Sequence, residues 1–242
     1  MKICAAIPGL LLAAAILSST GYGQNSLIVE HGPRNSKMVA LTFDACPTGH
    51  PEEFDEQVIE VLNKEQVPAT LFFSGRWVEK NPDKTKELAA MPLFEIANHA
   101  YWHPHMLEKD DERVLRELNS TQRIIRKITG KKPKYWRPPY GEVDERVAGL
   151  AKKAGLVTIQ YDIASGDPDP GLSAARIARV VVRDAQGGSI IVFHMNRNGV
   201  HTAEALPLVI EGLRKKGFEL VTVGEMLGKK HDVLTTETGS KH

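Results

Sequence analysis

VALTFDACPTG, residues 39–49, is the stretch on which the reading of the chain turns. VALTF is a run of apolar and β-branched residues, the composition of a buried strand. It ends on a single acid, Asp44, followed by Ala45, Cys46 and the turn-making Pro47. A helix-like stretch, FDEQVIEVLNKE, follows at 54–65. A buried strand that delivers one carboxylate to a loop and then feeds a helix is the unit to look for elsewhere.

The unit recurs. Strand-like runs at 69–74, 93–98, 134–137, 157–163, 189–194 and 218–223 alternate with helical patterns at 84–91, 110–130, 144–155, 173–186 and 202–217. Within the longest helix Val114, Leu118, Ile125 and Ile128 fall on one face. Gly130, Gly155 and Gly217 stand where C-terminal caps belong. Seven strand–helix alternations imply a parallel sheet with right-handed crossovers. They favour a closed or nearly closed β/α barrel over an open doubly wound sheet. No G-x-G-x-x-G or phosphate loop follows any strand, which weakens a nucleotide-binding reading.

The remaining composition narrows the class. The first residues, with Lys2, an apolar run through Leu17 and small residues around Tyr22, have the layout of a secretory signal peptide over 1–23. Residues 24–37 read as an N-terminal extension, 38–228 as one domain and 229–242 as a polar, flexible tail. The expected product is exported, periplasmic or secreted, with no stable membrane anchor. A net charge of +1 with interspersed acids and bases points to no nucleic-acid partner. Once the signal peptide is removed, Cys46 is the single cysteine, so no internal disulfide is expected. Its two readings are a buried small apolar residue and a reactive thiol.

A barrel gathers its functional groups at the carboxyl ends of the strands. There the sequence sets Asp44, then NHAYWHPHM (98–106), RPPYG (137–141), YDIASGD (161–167) and FHMN (193–196). His99 and His103, four apart, can converge on one metal from a tight loop, or can be two surface histidines. Asp44 is a candidate base or a helix N-cap, and His194 a candidate acid or a satisfied core histidine. Arg137, ahead of two prolines, can orient a carboxylate. Asp162 and Asp167 are candidate partners for Arg137 or for the His194 ring.

The five motifs TFDAC, NHAYWHP, RPPYG, YDIASGD and IIVFH, in that order over residues 38–227, resemble the polysaccharide deacetylases (NodB homology, carbohydrate esterase family 4). The resemblance implies a distorted (β/α)7 barrel that removes acetyl groups from sugars with a divalent metal, zinc first among candidates. It casts Asp44 as catalytic base, His99 and His103 as metal ligands and Arg137 as the residue orienting the base. Tyr140 would offer its backbone N–H to an oxyanion, and His194 would be the general acid, with Asp162 or Asp167 as a partner. The implied substrate is an N-acetylglucosamine-containing polymer or oligomer.

One departure stands out. The family usually carries a second, metal-binding aspartate where this chain has Ala45. Asp55, at the start of the next helix, is one replacement; the same residue suits a helix cap. Weaker binding through the two histidines, water and Asp44 is another. Cys46 is a further one: strand alternation would set it on the same face as Asp44, a parity that a turn at Pro47 can break. A metal-free carbohydrate-binding pseudoenzyme is the alternative function, and a hydrolase using Cys46 as nucleophile a third.

Overall fold

The computed structural model describes residues 27–47, 53–196 and 198–228; the expected signal peptide and tail lie outside them. In chain order the strands are β1 (Ile28–Val29), β2 (Met38–Ala45), β3 (Ala69–Phe73), β4 (Phe94–Asn98), β5 (Tyr135–Trp136), β6 (Val157–Ile159), β7 (Ile163–Ala164), β8 (Ile190–His194) and β9 (Glu219–Leu220). The helices are α1 (Glu56–Lys64), α2 (Gly75–Lys80), α3 (Pro82–Ala90), α4 (Asp111–Thr129), α5 (Glu145–Lys153), α6 (Ala174–Asp184) and α7 (Thr202–Lys215).

Strand pairing follows the order β1-β6-β5-β4-β3-β2-β8-β7, with β9 beside the start of β2. The pairings are parallel throughout. The sheet curls until β6, beside the edge strand β1 on one arm, and β7, at the edge of the other, are joined by residues 160–162 of one chain segment. This is the expected distorted (β/α)7 barrel. Sequence alone read 157–163 as one strand; instead β6 pairs with β5 and β1 while β7 pairs with β8. The short β1, within the stretch read as an extension, adds to the sheet at Ile28↔Thr158. The six-residue α2, too short to show a period, starts on a Ser74 cap.

The alternation of β2 divides the core. Val39, Leu41, Phe43 and Ala45 pack in the large cluster between sheet and helices, whereas Met38 and Ala40 pack in a second cluster inside the barrel. Period-2 geometry then carries Thr42, Asp44 and the following Cys46 along the interior file toward the rim. The helices close by ordinary means. In α4 the Asp110 side chain accepts from the Arg113 N–H, and Gly130 ends the helix at φ 73°. No helix among the described residues is long and apolar enough to cross a membrane.

Candidate active site at the carboxyl rim

Asp44 and Arg137 form the floor of a cleft of about 350 Å³ that also takes in Cys46, His99, His103, Tyr140, Asp167 and His194. Arg137 Nη1 donates to Asp44 Oδ1 across 2.8 Å, and both side chains are buried. The guanidinium also lies over the Phe72 ring, 4.2 Å from its centroid. Burial alone would raise the Asp44 carboxyl; Arg137, with further help from His99 and His194, holds it below the ordinary carboxylate range. A buried carboxylate kept ionised in this way is a poised proton acceptor.

The same arginine fixes a histidine. His99 Nδ1 donates to the Arg137 carbonyl at 2.9 Å, so the proton sits on Nδ1 and the Nε2 lone pair faces the cleft. Burial, chiefly, lowers the pKa of both imidazoles, that of His103 to about 3. Neutral imidazole is the form that binds metal. The loop carrying them is bent: Ala100 and His103 have φ of 59° and 57°, the left-handed region that costs non-glycine residues about 1–3 kcal/mol each. Glu117, buried on α4, holds that bend by accepting from the N–H groups of Tyr101 (2.8 Å) and Trp102 (2.7 Å). Glu117 was not foreseen; an acid on the otherwise apolar stripe of Val114 and Leu118 was the available signal.

His194 ends β8 directly across from Asp44, its registered neighbour on β2. Its Nδ1 donates to Asp167 Oδ1 at 3.0 Å, which leaves Nε2 toward the cleft. Asp167 is wholly buried and fully engaged, accepting also from the His194 N–H, Ser165 and Thr202. Burial would lower the His194 pKa, but the Asp167 hydrogen bond and charge, together with Asp44, raise it above the usual value.

Tyr140 sits at φ 58° on the loop after Arg137 with its ring exposed. His105 stacks on that ring at 4.1 Å and His103 meets it edge-on at 4.5 Å. His105 thereby forms a wall of the Tyr140 loop.

Two candidates are not brought into this arrangement. Asp162 lies at the other end of β8, where its carboxylate accepts from the Ile190 N–H and Ser189 and pairs with Arg34 at 2.8 Å. The break between β6 and β7 turns it there, so the partner of His194 is Asp167 and the partner of Arg137 is Asp44. Asp55 is taken up as the N-cap of α1, accepting from the Gln57 N–H at 3.0 Å. Among the described residues the three-ligand cluster is Cys46, His99 and His103, with ligand atoms all within 4.8 Å of one another. Two imidazoles and a thiol suit a divalent ion of borderline softness, so the residues fit the metal that the resemblance implied. Burial, then Asp44, pushes the Cys46 thiol pKa far up, the opposite of an activated nucleophile.

A parallel β/α barrel that gathers a buried carboxylate paired with an arginine, a carboxylate-held imidazole and a further imidazole pair on one rim is an architecture suited to hydrolysis. The sequence matches the polysaccharide deacetylase family over residues 31–159, and the chain belongs to that family of hydrolases. A peptidoglycan-N-acetylglucosamine deacetylase of Bacillus cereus is 31% identical over 89% of this chain and 97% of its own length. A bifunctional xylanase/deacetylase of Pseudobutyrivibrio xylanivorans is 30% identical, and the chain spans 36% of its length. Among solved structures, a peptidoglycan N-acetylglucosamine deacetylase superposes with a TM-score of 0.77 at 31% identity, covering 84% of this chain and 93% of that one. A pseudoenzyme of carbohydrate esterase family 4 from Bacillus anthracis gives a TM-score of 0.73 at 28% identity, over 82% of this chain and 68% of that one.

Proposed function

We propose that the chain hydrolyses the acetamide of an N-acetylated carbohydrate, with an N-acetylglucosamine-containing polymer or oligomer as substrate, outside the cytoplasm. The reaction breaks the carbonyl–nitrogen bond, forms a carbonyl–oxygen bond from water, and releases acetate and the amine. The observation that carries the reading is the pairing of Asp44 with Arg137 and of His194 with Asp167, with Asp44 and His194 side by side at the ends of neighbouring strands in one cleft.

Asp44, kept ionised by Arg137, accepts the proton of the attacking water. His194 holds a proton on Nε2, steadied through Nδ1 by Asp167, and gives it to the departing nitrogen. Each such positioned group contributes about 10²–10⁴-fold. The Tyr140 backbone N–H is the donor for the carbonyl oxygen as charge develops there. His99 and His103 are the imidazole ligands of a divalent ion, zinc by preference. When bound, that ion supplies Lewis acidity at the acetyl carbonyl and lowers the pKa of water from about 15.7 to about 7.

The test is acetate release from chito-oligosaccharides and from peptidoglycan. Zinc-loaded protein is expected to release acetate, and chelation or Asp44→Ala to stop it. Activity that survives both treatments overturns the reading. Ala45 favours a second reading, a sugar-binding protein without metal; stoichiometric zinc in the purified protein argues against it.

A further inference from the structure

The interior file of β2 bears on the ligand position that Ala45 leaves open. The Ala45 side chain turns outward into the sheet–helix cluster, whereas Asp44 and Cys46, two residues apart, both reach the cleft. Cys46 Sγ lies 3.6 Å from His99 Nε2. Since Nε2 is the bare nitrogen, it can accept from the thiol, and the two atoms face each other as ligands of one ion would. A tetrahedral zinc with Zn–S of about 2.3 Å and Zn–N of about 2.0–2.1 Å sets S and N about 3.5–3.6 Å apart. The third ligand atom, on His103, lies within 4.8 Å of both. Of the other candidate donors, Asp55 caps α1 and Asp44 Oδ1 is held by Arg137, while Asp44 Oδ2, 3.7 Å from His99 Nε2, is the oxygen that the proposed base role reserves for the attacking water.

We infer that Cys46 is the third protein ligand of the metal, as a thiolate in a Cys–His–His site, replacing the carboxylate that the family usually carries. The inference rests on the metal-dependent reading above. On binding, the S–H bond breaks, the proton passes to buffer, and a sulfur lone pair forms the bond to the ion. Two tasks that the family gives to adjacent acids are thus divided between Asp44, left free as base, and Cys46, two positions on. A thiolate also biases the site toward zinc over harder divalent ions.

The test uses the full chain, stripped of metal by chelator in a non-thiol reductant and then loaded with Co2+ or Zn2+ alone. The wild type with Co2+ is expected to show the visible bands of a tetrahedral ion together with a near-ultraviolet thiolate-to-cobalt charge-transfer band. Cys46→Ser and Cys46→Asp should lose the near-ultraviolet band, with Cys46→Asp keeping the visible ones. Cys46→Ser should weaken Zn2+ binding by more than the about 10–100-fold typical of losing an outer-shell partner. Circular dichroism melting of both variants shows that the fold persists. Visible bands without a charge-transfer band in the wild type overturn the thiolate ligand and leave the deacetylase reading standing. A charge-transfer band in a protein that releases no acetate from either glycan does the reverse. Failure of the wild type to bind either ion overturns both.

Discussion

Arg137 donates to Asp44 across 2.8 Å inside the protein, and the carbonyl of the same arginine accepts from His99 at 2.9 Å. One residue therefore sets both the ionisation of the proposed base and the tautomer of a proposed metal ligand. Its side-chain work and its backbone work are separable by mutation, because a substitution removes only the first.

Arg137→Met leaves Asp44 buried without its cation. Breaking a buried pair from one side costs about 3–5 kcal/mol, read as a lower midpoint in denaturant unfolding. With burial unopposed, the Asp44 pKa rises, so its deprotonated fraction falls at a given pH. The acid limb of the pH–activity profile for acetate release should therefore move to higher pH. An unmoved acid limb would show that Arg137 does not govern the base.

In the proposed mechanism the opposite limb belongs to His194. Its pKa is raised by Asp167 against the effect of burial, and a general acid works only while protonated. Asp167→Asn removes the carboxylate charge, lowers the His194 pKa and should shift the alkaline limb to lower pH. His194→Ala should cut kcat by about 10²–10⁴-fold with KM little changed. A parallel loss in KM would place His194 in substrate binding instead.

Glu117 offers a test away from the cleft. Glu117→Ala removes the acceptor of the part-buried N–H groups of Tyr101 and Trp102 and the partner of Arg113, at less than the about 1–3 kcal/mol of a fully buried group left unpaired for each N–H. Because those groups hold the bend between His99 and His103, zinc affinity should fall by about 10–100-fold, as for other outer-shell losses. Glu117→Gln, which keeps a carbonyl acceptor, should lose less. A competition titration with a chromophoric chelator measures both; equal zinc affinity in all three proteins would confine Glu117 to folding.

How far the sequence disclosed this site depended on the range of the interaction involved. Asp44, His99, His103, Arg137 and His194 were legible because strand alternation and the barrel rule are local or topological. Asp162 was misplaced because VTIQYDI reads as one strand, and only tertiary pairing parts β6 from β7 and turns the carboxylate to the Ile190 N–H. Asp55 fits both a helix cap and a metal ligand in EEFDEQV; the nearby Gln57 N–H takes it. Glu117 was hidden because its partners lie on a loop 15 and 16 residues away. The choice among replacements for the missing acid needed the direction of side chains at the strand end, where Pro47 makes parity unreliable on paper.

The Tyr140 loop separates a backbone role from a side-chain role. Tyr140 keeps φ at 58°, at a cost of about 1–3 kcal/mol, and its ring packs between His105 and His103. If the backbone N–H is what serves the reaction, the phenol oxygen is dispensable while the ring is needed to hold the loop. Tyr140→Phe should then match the wild type in kcat. Tyr140→Ala frees the loop to relax from the left-handed region and should lose up to about 10²-fold, the lower range for removal of an oxyanion donor. His105→Ala, which removes the stacking partner, should fall in the same direction with zinc content unchanged. Initial rates of acetate release at saturating chito-oligosaccharide decide the matter: a large loss in Tyr140→Phe would move the role from the backbone to the hydroxyl.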